Sequence, residues 1–180
     1  MPLRWVREQR PRWDDDKARV IGGAPPGALD VSYPAGTELP GDWFAAMQDD
    51  RAVGYGWLDS TWGGDTEILL AVGLDAQRKG VGAYILDNLE REAGERGTNY
   101  VYNTVRATHP DREQVHDWLA SRGYRGSDSD TALRKRVGVA NDPAAARPAA
   151  PAADRALPAD SMAPGHEESG GYVNIEDHQY

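Results

Sequence analysis

Leu74-Asp75-Ala76-Gln77-Arg78-Lys79-Gly80-Val81-Gly82-Ala83 joins two segments of opposite character. Before it, Thr66–Leu74 (TEILLAVGL) has a near-continuous apolar centre, the pattern of a strand buried on both faces. After it, Ile85, Leu86, Leu89 and Ala93 recur at helical spacing over 81–96, and Gly97 ends the run. The reading is strand, turn, helix, with two glycines one residue apart where the helix begins. Glycine lets a backbone approach a ligand without a Cβ in the way. The free N–H groups at a helix start, together with the helix dipole, favour an anion. Arg78 and Lys79 add positive charge beside them. The segment is expected to cradle a pyrophosphate.

Two familiar phosphate loops do not fit. A Walker A loop needs Gly-Lys-Ser/Thr, which is absent. A dinucleotide fingerprint needs a third glycine at position 85, which is Ile, and a βαβ repeat, which is not evident.

Working outward, residues 3–8 suit a short strand. Asp14, Asp15 and Asp16 suit the cap and first turn of a helix running to Val20. The Pro- and Gly-rich stretch to Gly41 has no clear assignment. Residues 43–47 and 52–59 read as a hairpin around Asp49-Asp50-Arg51. Residues 99–106 (NYVYNTVR) are rich in β-formers. Residues 111–122 read as a helix with Val115, Trp118 and Leu119 inward, and Tyr124–Gly126 and Thr131–Val137 as a closing pair of strands. This order predicts an α/β fold, a mixed and mostly antiparallel sheet flanked by helices.

The core-forming residues stop early. None of the six Trp lies beyond Trp118. From Val139 the chain turns to Ala and Pro, with five Pro that prevent continuous helix. It offers too little apolar surface to offset the entropy of ordering. The expected organisation is a domain over 1–138, a disordered Ala/Pro-rich linker over 139–170, and a candidate docking peptide for a protein partner over 171–180. This tail holds seven acidic and two basic residues, more than half of the net charge of −9.

That charge argues against nucleic acid and anionic membrane as partners. With no Cys, thiolate metal sites and a Cys nucleophile are excluded. The four His show no ligand spacing, so no metal is expected. The first residues have no apolar signal region, and a cytoplasmic location is expected.

Gln77-Arg78-Lys79-Gly80-Val81-Gly82 resembles the acetyl-CoA motif of the GNAT N-acetyltransferase superfamily, Gln/Arg-x-x-Gly-x-Gly/Ala after a strand. His116-Asp117-Trp118-Leu119-Ala120-Ser121-Arg122-Gly123-Tyr124 resembles that family's helix ending in Gly-Phe/Tyr. The resemblance implies a sheet with splayed central strands that bind coenzyme A. It implies acetyl transfer from acetyl-CoA to a primary amine, on a small molecule or a protein, by direct attack. Gln77, Arg78, Lys79, Gly80, Val81, Gly82 and Ala83 would hold the pyrophosphate. Residues 70–74, Leu74 included, would meet the pantetheine arm, with a backbone N–H near Ala71 or Val72 stabilising the oxyanion. Glu67 is the implied candidate base. Many relatives carry a Tyr acid at the position of Leu119; here His116, His109, Tyr102 or solvent would have to replace it, and His116 is the candidate retained. Of Trp43, Tyr55, Trp57 and Trp62, most are expected to be core or sheet-packing residues, with lining of the acceptor site as the alternative. A homodimer is common among such proteins. The alternative function is a non-catalytic acetyl-CoA or CoA module that recruits a partner through 171–180.

Overall fold

The computed structural model describes residues 2–61, 63–126 and 131–138. The linker and docking-peptide expectations for 139–180 lie outside the described residues, as does Trp62.

Six strands form one sheet in the order β1 to β6: Arg4–Arg7, Asp42–Gln48, Arg51–Ser60, Thr66–Val72, Tyr100–Thr104 and Ala132–Arg136. Every neighbouring pair is antiparallel except β4 and β5. That single parallel step is made by helix α2 (Val81–Glu95), which carries the chain back to start β5. The remaining helices are α1 (Asp15–Val20) and α3 (Arg112–Ser121).

The helices sort to the two faces. On one face, Ile85, Leu86 and Leu89 of α2 and Leu119 of α3 pack on Phe44, Leu58, Ile68, Val101 and Leu133. These α2 positions recur at three- and four-residue spacing, which is why the amphipathic pattern forms a helix here. On the other face, Val20 and Ile21 join Trp13, Trp43, Tyr55 and Trp57 in a second cluster. Trp43 and Trp57 are register partners on β2 and β3 and stack at 4.3 Å. The hairpin aromatics are therefore core, buried to 6% exposure or less, and none of the described ones lines the cleft. Burying their large faces outweighs any gain from leaving them open for an acceptor.

The α1 cap follows expectation: Asp14 accepts from the Lys17 N–H at 2.8 Å. Lys17 is 1% exposed yet paired with Glu8 at 2.9 Å and Asp14 at 3.0 Å, with its ammonium over the Tyr55 ring. Burial, reinforced by the Asp14 and Glu8 carboxylates, pushes the Tyr55 phenol far above its ordinary range.

Three expectations need correction. The strand predicted over 66–74 stops at Val72, and Leu74 begins a 3-10 turn, Leu74–Ala76, where it is 68% exposed. Leu69 and Leu70 are only half-buried, because the sheet opens beside them. Tyr124–Gly126 forms no strand; a single bridge joins Arg125 to Arg134.

Two β3 glycines set the depth at which α2 seats. A Cβ on Gly54 would lie 2.5 Å from Ile85 Cδ1, and one on Gly56 would lie 2.8 Å from both Ile85 Cγ2 and Leu89 Cδ1. Gly56→Val is expected to lower unfolding stability by about 1–3 kcal/mol through overpacking, measured by urea denaturation.

Candidate functional site

The β4–β5 ladder has two pairs, Thr66 with Val101 and Glu67 with Tyr102. Beyond them the strands part. β4 stays paired with β3 along its whole length, and β5 with β6. The amide of Asn103 marks the point of divergence, its Nδ2 donating to Ile68 O at 2.7 Å.

Backbone direction alternates along a strand. Gly73 N–H donates to Val53 O on β3 at 2.9 Å, so Leu69 and Ala71 also address β3. Ile68, Leu70 and Val72 therefore address the gap. The Ile68 carbonyl takes Asn103, and the Val72 carbonyl takes Gln77 Nε2 at 3.3 Å. The Leu70 N–H and C=O and the Val72 N–H remain directed at the opening. Of the two expected oxyanion positions, Val72 has its N–H on the correct side, and Ala71 presents only its side chain.

The gap widens into a cleft of about 800 Å³. Its floor is β4 (Leu69 to Val72), the end of β5 (Asn103 and Thr104) and Val105 just beyond it. One wall is the start of α2 with its preceding loop; a second is α3, through Gln114, Val115, Trp118 and Leu119, with Arg122 just after its end. The third is the loop carrying Ala24, Pro25, Ala28 and Leu29.

Local backbone shapes the α2 entrance. Arg78 has φ 58° and Gly80 φ 82°, a tight left-handed turn that lets the chain start the helix at once. No side chain caps Gly80, so the first N–H groups of this 15-residue helix are left for another acceptor. A Cβ on Gly80 would meet nothing within 4 Å, and one on Gly82 nothing closer than 3.7 Å. Neither glycine is required by protein packing at its Cβ; Gly80 borders open space, and Gly82 keeps the helix start clear of all but ordinary contact with Val72 and Trp118. Arg122 adds charge to this rim, held to Asp87 at 3.2 Å and stacked over Trp118.

The expected site residues divide accordingly. Ala71, Val72, Leu74, Gln77, Arg78, Gly80, Gly82 and Ala83 line the cleft. Lys79 turns away to donate to Asp75 O at 2.8 Å, and Val81 is 4% exposed in the core. Glu67 is off the cleft lining, at the closed end of the gap between its register partners Asp59 and Tyr102. It is about 13 Å along the strand from Ala71. Burial, then the Glu67 charge, raises the Tyr102 phenol above its ordinary range, so Tyr102 keeps its proton. His116 is outside the cleft, on another side of α3 beside Arg112, Glu113 and Asp117. Helical geometry forces this: Val115, Trp118 and Leu119 share the inward face, and His116 sits a third of a turn off it.

Sequence reasoning gave no cleft role to Asn103, Gln114 or the 24–29 loop. Asn103 has a signal, an amide inside a β-rich run, where it is disfavoured unless it bonds. The loop has none. It is tied across the opening by Thr108 Oγ1 donating to Gly27 O at 2.9 Å and by the Arg106–Asp30 ion pair.

The family model described as Acetyltransferase (GNAT) family matches residues 6–124. The chain belongs to the GNAT acetyltransferase family. Among solved structures, the GNAT fold is shared with YhhK from E. coli, determined bound to coenzyme A, at 18% identity and TM-score 0.53 over 76% of this chain and 99% of that one. The ribosomal-protein-S18-alanine N-acetyltransferase from E. coli is similar at 15% identity and TM-score 0.46, over 73% and 81%. A phosphinothricin acetyltransferase from Sinorhizobium meliloti, in complex with AcCoA, is similar at 15% identity and TM-score 0.44. The match covers 54% of this GNAT chain and 62% of that enzyme's length. No curated protein matches the chain. Among the described residues of this GNAT domain, no group of three or more His, Asp or Glu could hold a metal ion, and no helix is long and apolar enough to cross a membrane.

Gly27 has φ +86°, and a Cβ there would lie 2.4 Å from Thr108 O. Gly27→Val is expected to cost about 1–3 kcal/mol and to detach the loop. Amide hydrogen exchange should then rise over 24–30 and 106–109 while α2 stays protected.

Proposed function

We propose that the domain binds acetyl-CoA in this cleft and transfers its acetyl group to a primary amine. The observation that carries the reading is the conjunction of an uncapped, glycine-opened helix start with a β4 edge whose backbone groups face an open gap. The N–H groups at the start of α2 would hold the pyrophosphate, with Arg78 and Arg122 screening its charge. Leu70 and Val72 would hold the pantetheine arm as a further strand would be held, and the Val72 N–H would meet the thioester carbonyl. Acetyl-CoA supplies the activated acyl group. The protein's part is to orient it, keep water from the gap, and accept a proton from the amine. Glu67 is the proposed base, acting through water because it lies below the cleft floor.

A second reading, a module that binds acetyl-CoA or CoA without turnover, is favoured by one observation. Leu119 stands where many relatives carry the acid Tyr, and no Tyr is among the described residues lining the cleft.

Calorimetric titration of acetyl-CoA and CoA into the full chain tests the site. Binding should be in the micromolar range and be lost in Gly82→Leu, whose Cβ makes ordinary contact with Val72 and Trp118 at 3.7 Å or more, with folding checked by the unfolding midpoint. Retained binding in a folded Gly82→Leu variant overturns the cradle. With an amine that is turned over, Glu67→Gln should lower kcat about 100-fold or more with little change in acetyl-CoA affinity. Binding by the wild type without turnover of any amine in a broad panel favours the second reading.

A further inference from the structure

The side chains of β4 alternate between the two faces of the sheet. Leu70 and Val72 pack with Trp118 and Leu119 in the α2–α3 cluster. Ala71 belongs to the cluster on the α1 face, and Leu69 and Leu29 pack against it. All of these residues line the cleft, so it opens through the sheet onto both faces. The uncapped start of α2 stands on the first face. Coenzyme A bound as proposed occupies that face and the gap. The amine must then come from the α1 face.

On the α1 face the mouth is walled by Ala24, Pro25, Ala28 and Leu29 of the loop and by Leu69 and Ala71 of β4. These six side chains carry no charge and no hydrogen-bonding group. Thr104, three residues along β5 from core-facing Val101, adds one hydroxyl. Arg106 and Asp30, at the rim, are paired with each other. Among the described residues lining the cleft, the only carboxylate is that of Asp111. It stands at the N-cap of α3, whose inward residues Trp118 and Leu119 belong to the other face. Glu67 shares the face of Leu69 and Ala71 by strand alternation, about 7 Å below Leu69 at the closed end of the gap. An amine entering here has one carboxylate beneath it, and the rest of its molecule meets an apolar wall. Alkyl or aryl groups gain by burial against that wall. A second charge there would be desolvated with no partner, which is costly.

We propose that the acceptor is a primary monoamine with an apolar alkyl or aryl body and no second charge, held with that body against Ala24, Pro25, Ala28, Leu29 and Leu69. The inference rests on the reading of the cleft as an acetyl-CoA site. Diamines and polyamines are disfavoured because their further ammonium groups would lie on Ala, Pro and Leu. Amines that carry a free carboxylate are disfavoured because Arg106, at the rim, is already neutralised by Asp30. The wall is set in place by the Thr108–Gly27 hydrogen bond and the Arg106–Asp30 pair across the opening.

The test is equilibrium binding, which does not depend on turnover. Hexylamine, 1,6-diaminohexane and 6-aminohexanoate, matched in chain length, are titrated into the full chain saturated with coenzyme A and followed by ligand-observed NMR. The wild type should bind hexylamine at least about tenfold more tightly than either compound with a second charge. From propylamine to hexylamine, affinity should rise by about twofold to fourfold per added methylene. Ala24→Asp and Leu29→Asp each set a carboxylate on the wall, with folding checked by the unfolding midpoint. In them diaminohexane should bind at least as tightly as hexylamine. Binding of either two-charge compound by the wild type as tightly as hexylamine, no gain with chain length, or binding of none of the amines would each overturn the proposal, whether or not the variants fold. An unchanged preference for hexylamine in both folded variants would also overturn it. Failure of the wild type to bind coenzyme A would overturn the acetyl-CoA reading itself, and this inference with it.

Discussion

Two residue pairs hold β4 against β5, and the functional architecture follows from there being only two. A longer ladder would saturate the inner edge of β4 and close the sheet. Instead the Asn103 amide satisfies the Ile68 carbonyl and takes the place of the next backbone bond. From that point β4 belongs to the sheet's first half and β5 to its second. The gap between them is lined by backbone groups that β4 presents without further side-chain machinery.

The elements around the gap are held by different forces. Helix α2 is positioned by apolar packing, with Ile85 and Leu89 set against Gly54 and Gly56. Its first turn is thereby brought to the open end of the gap, where its uncapped N–H groups are available. The opposite wall is held by polar ties between the 24–30 and 106–109 segments. Apolar packing is dense and resists displacement. Exposed hydrogen bonds and ion pairs contribute less and exchange with water. The cleft thus has a fixed helix-start side and a more weakly tethered side near His109.

The site was legible in the sequence to the extent that its chemistry is local. Gly80 and Gly82 after an apolar strand describe a helix start with free N–H groups, and the structure has that start. Gln77, Arg78 and Ala83 flank it by chain proximity alone. Val81 and Lys79 sit in the same stretch yet point elsewhere, since a helix turns neighbouring side chains to different sides and Lys79 reaches the Asp75 carbonyl. His116 is legible as a histidine near a family-like segment, but its helical phase takes it out of the cleft.

Periodicity and turn residues in the sequence determined the order of strands and helices (apart from the strand expected over Tyr124–Gly126), the mixed α/β class, and the glycine-opened helix start, because each depends on contacts within a few residues. Tertiary structure decided where the ladder stops, which face each aromatic takes, and that residues 24–29 and 105–111 meet across one opening. Those outcomes depend on pairs far apart in the chain, such as Asn103 with Ile68 and Thr108 with Gly27. No local pattern encodes such pairs; they form only when packing of α2 brings the two halves of the sheet to a common edge.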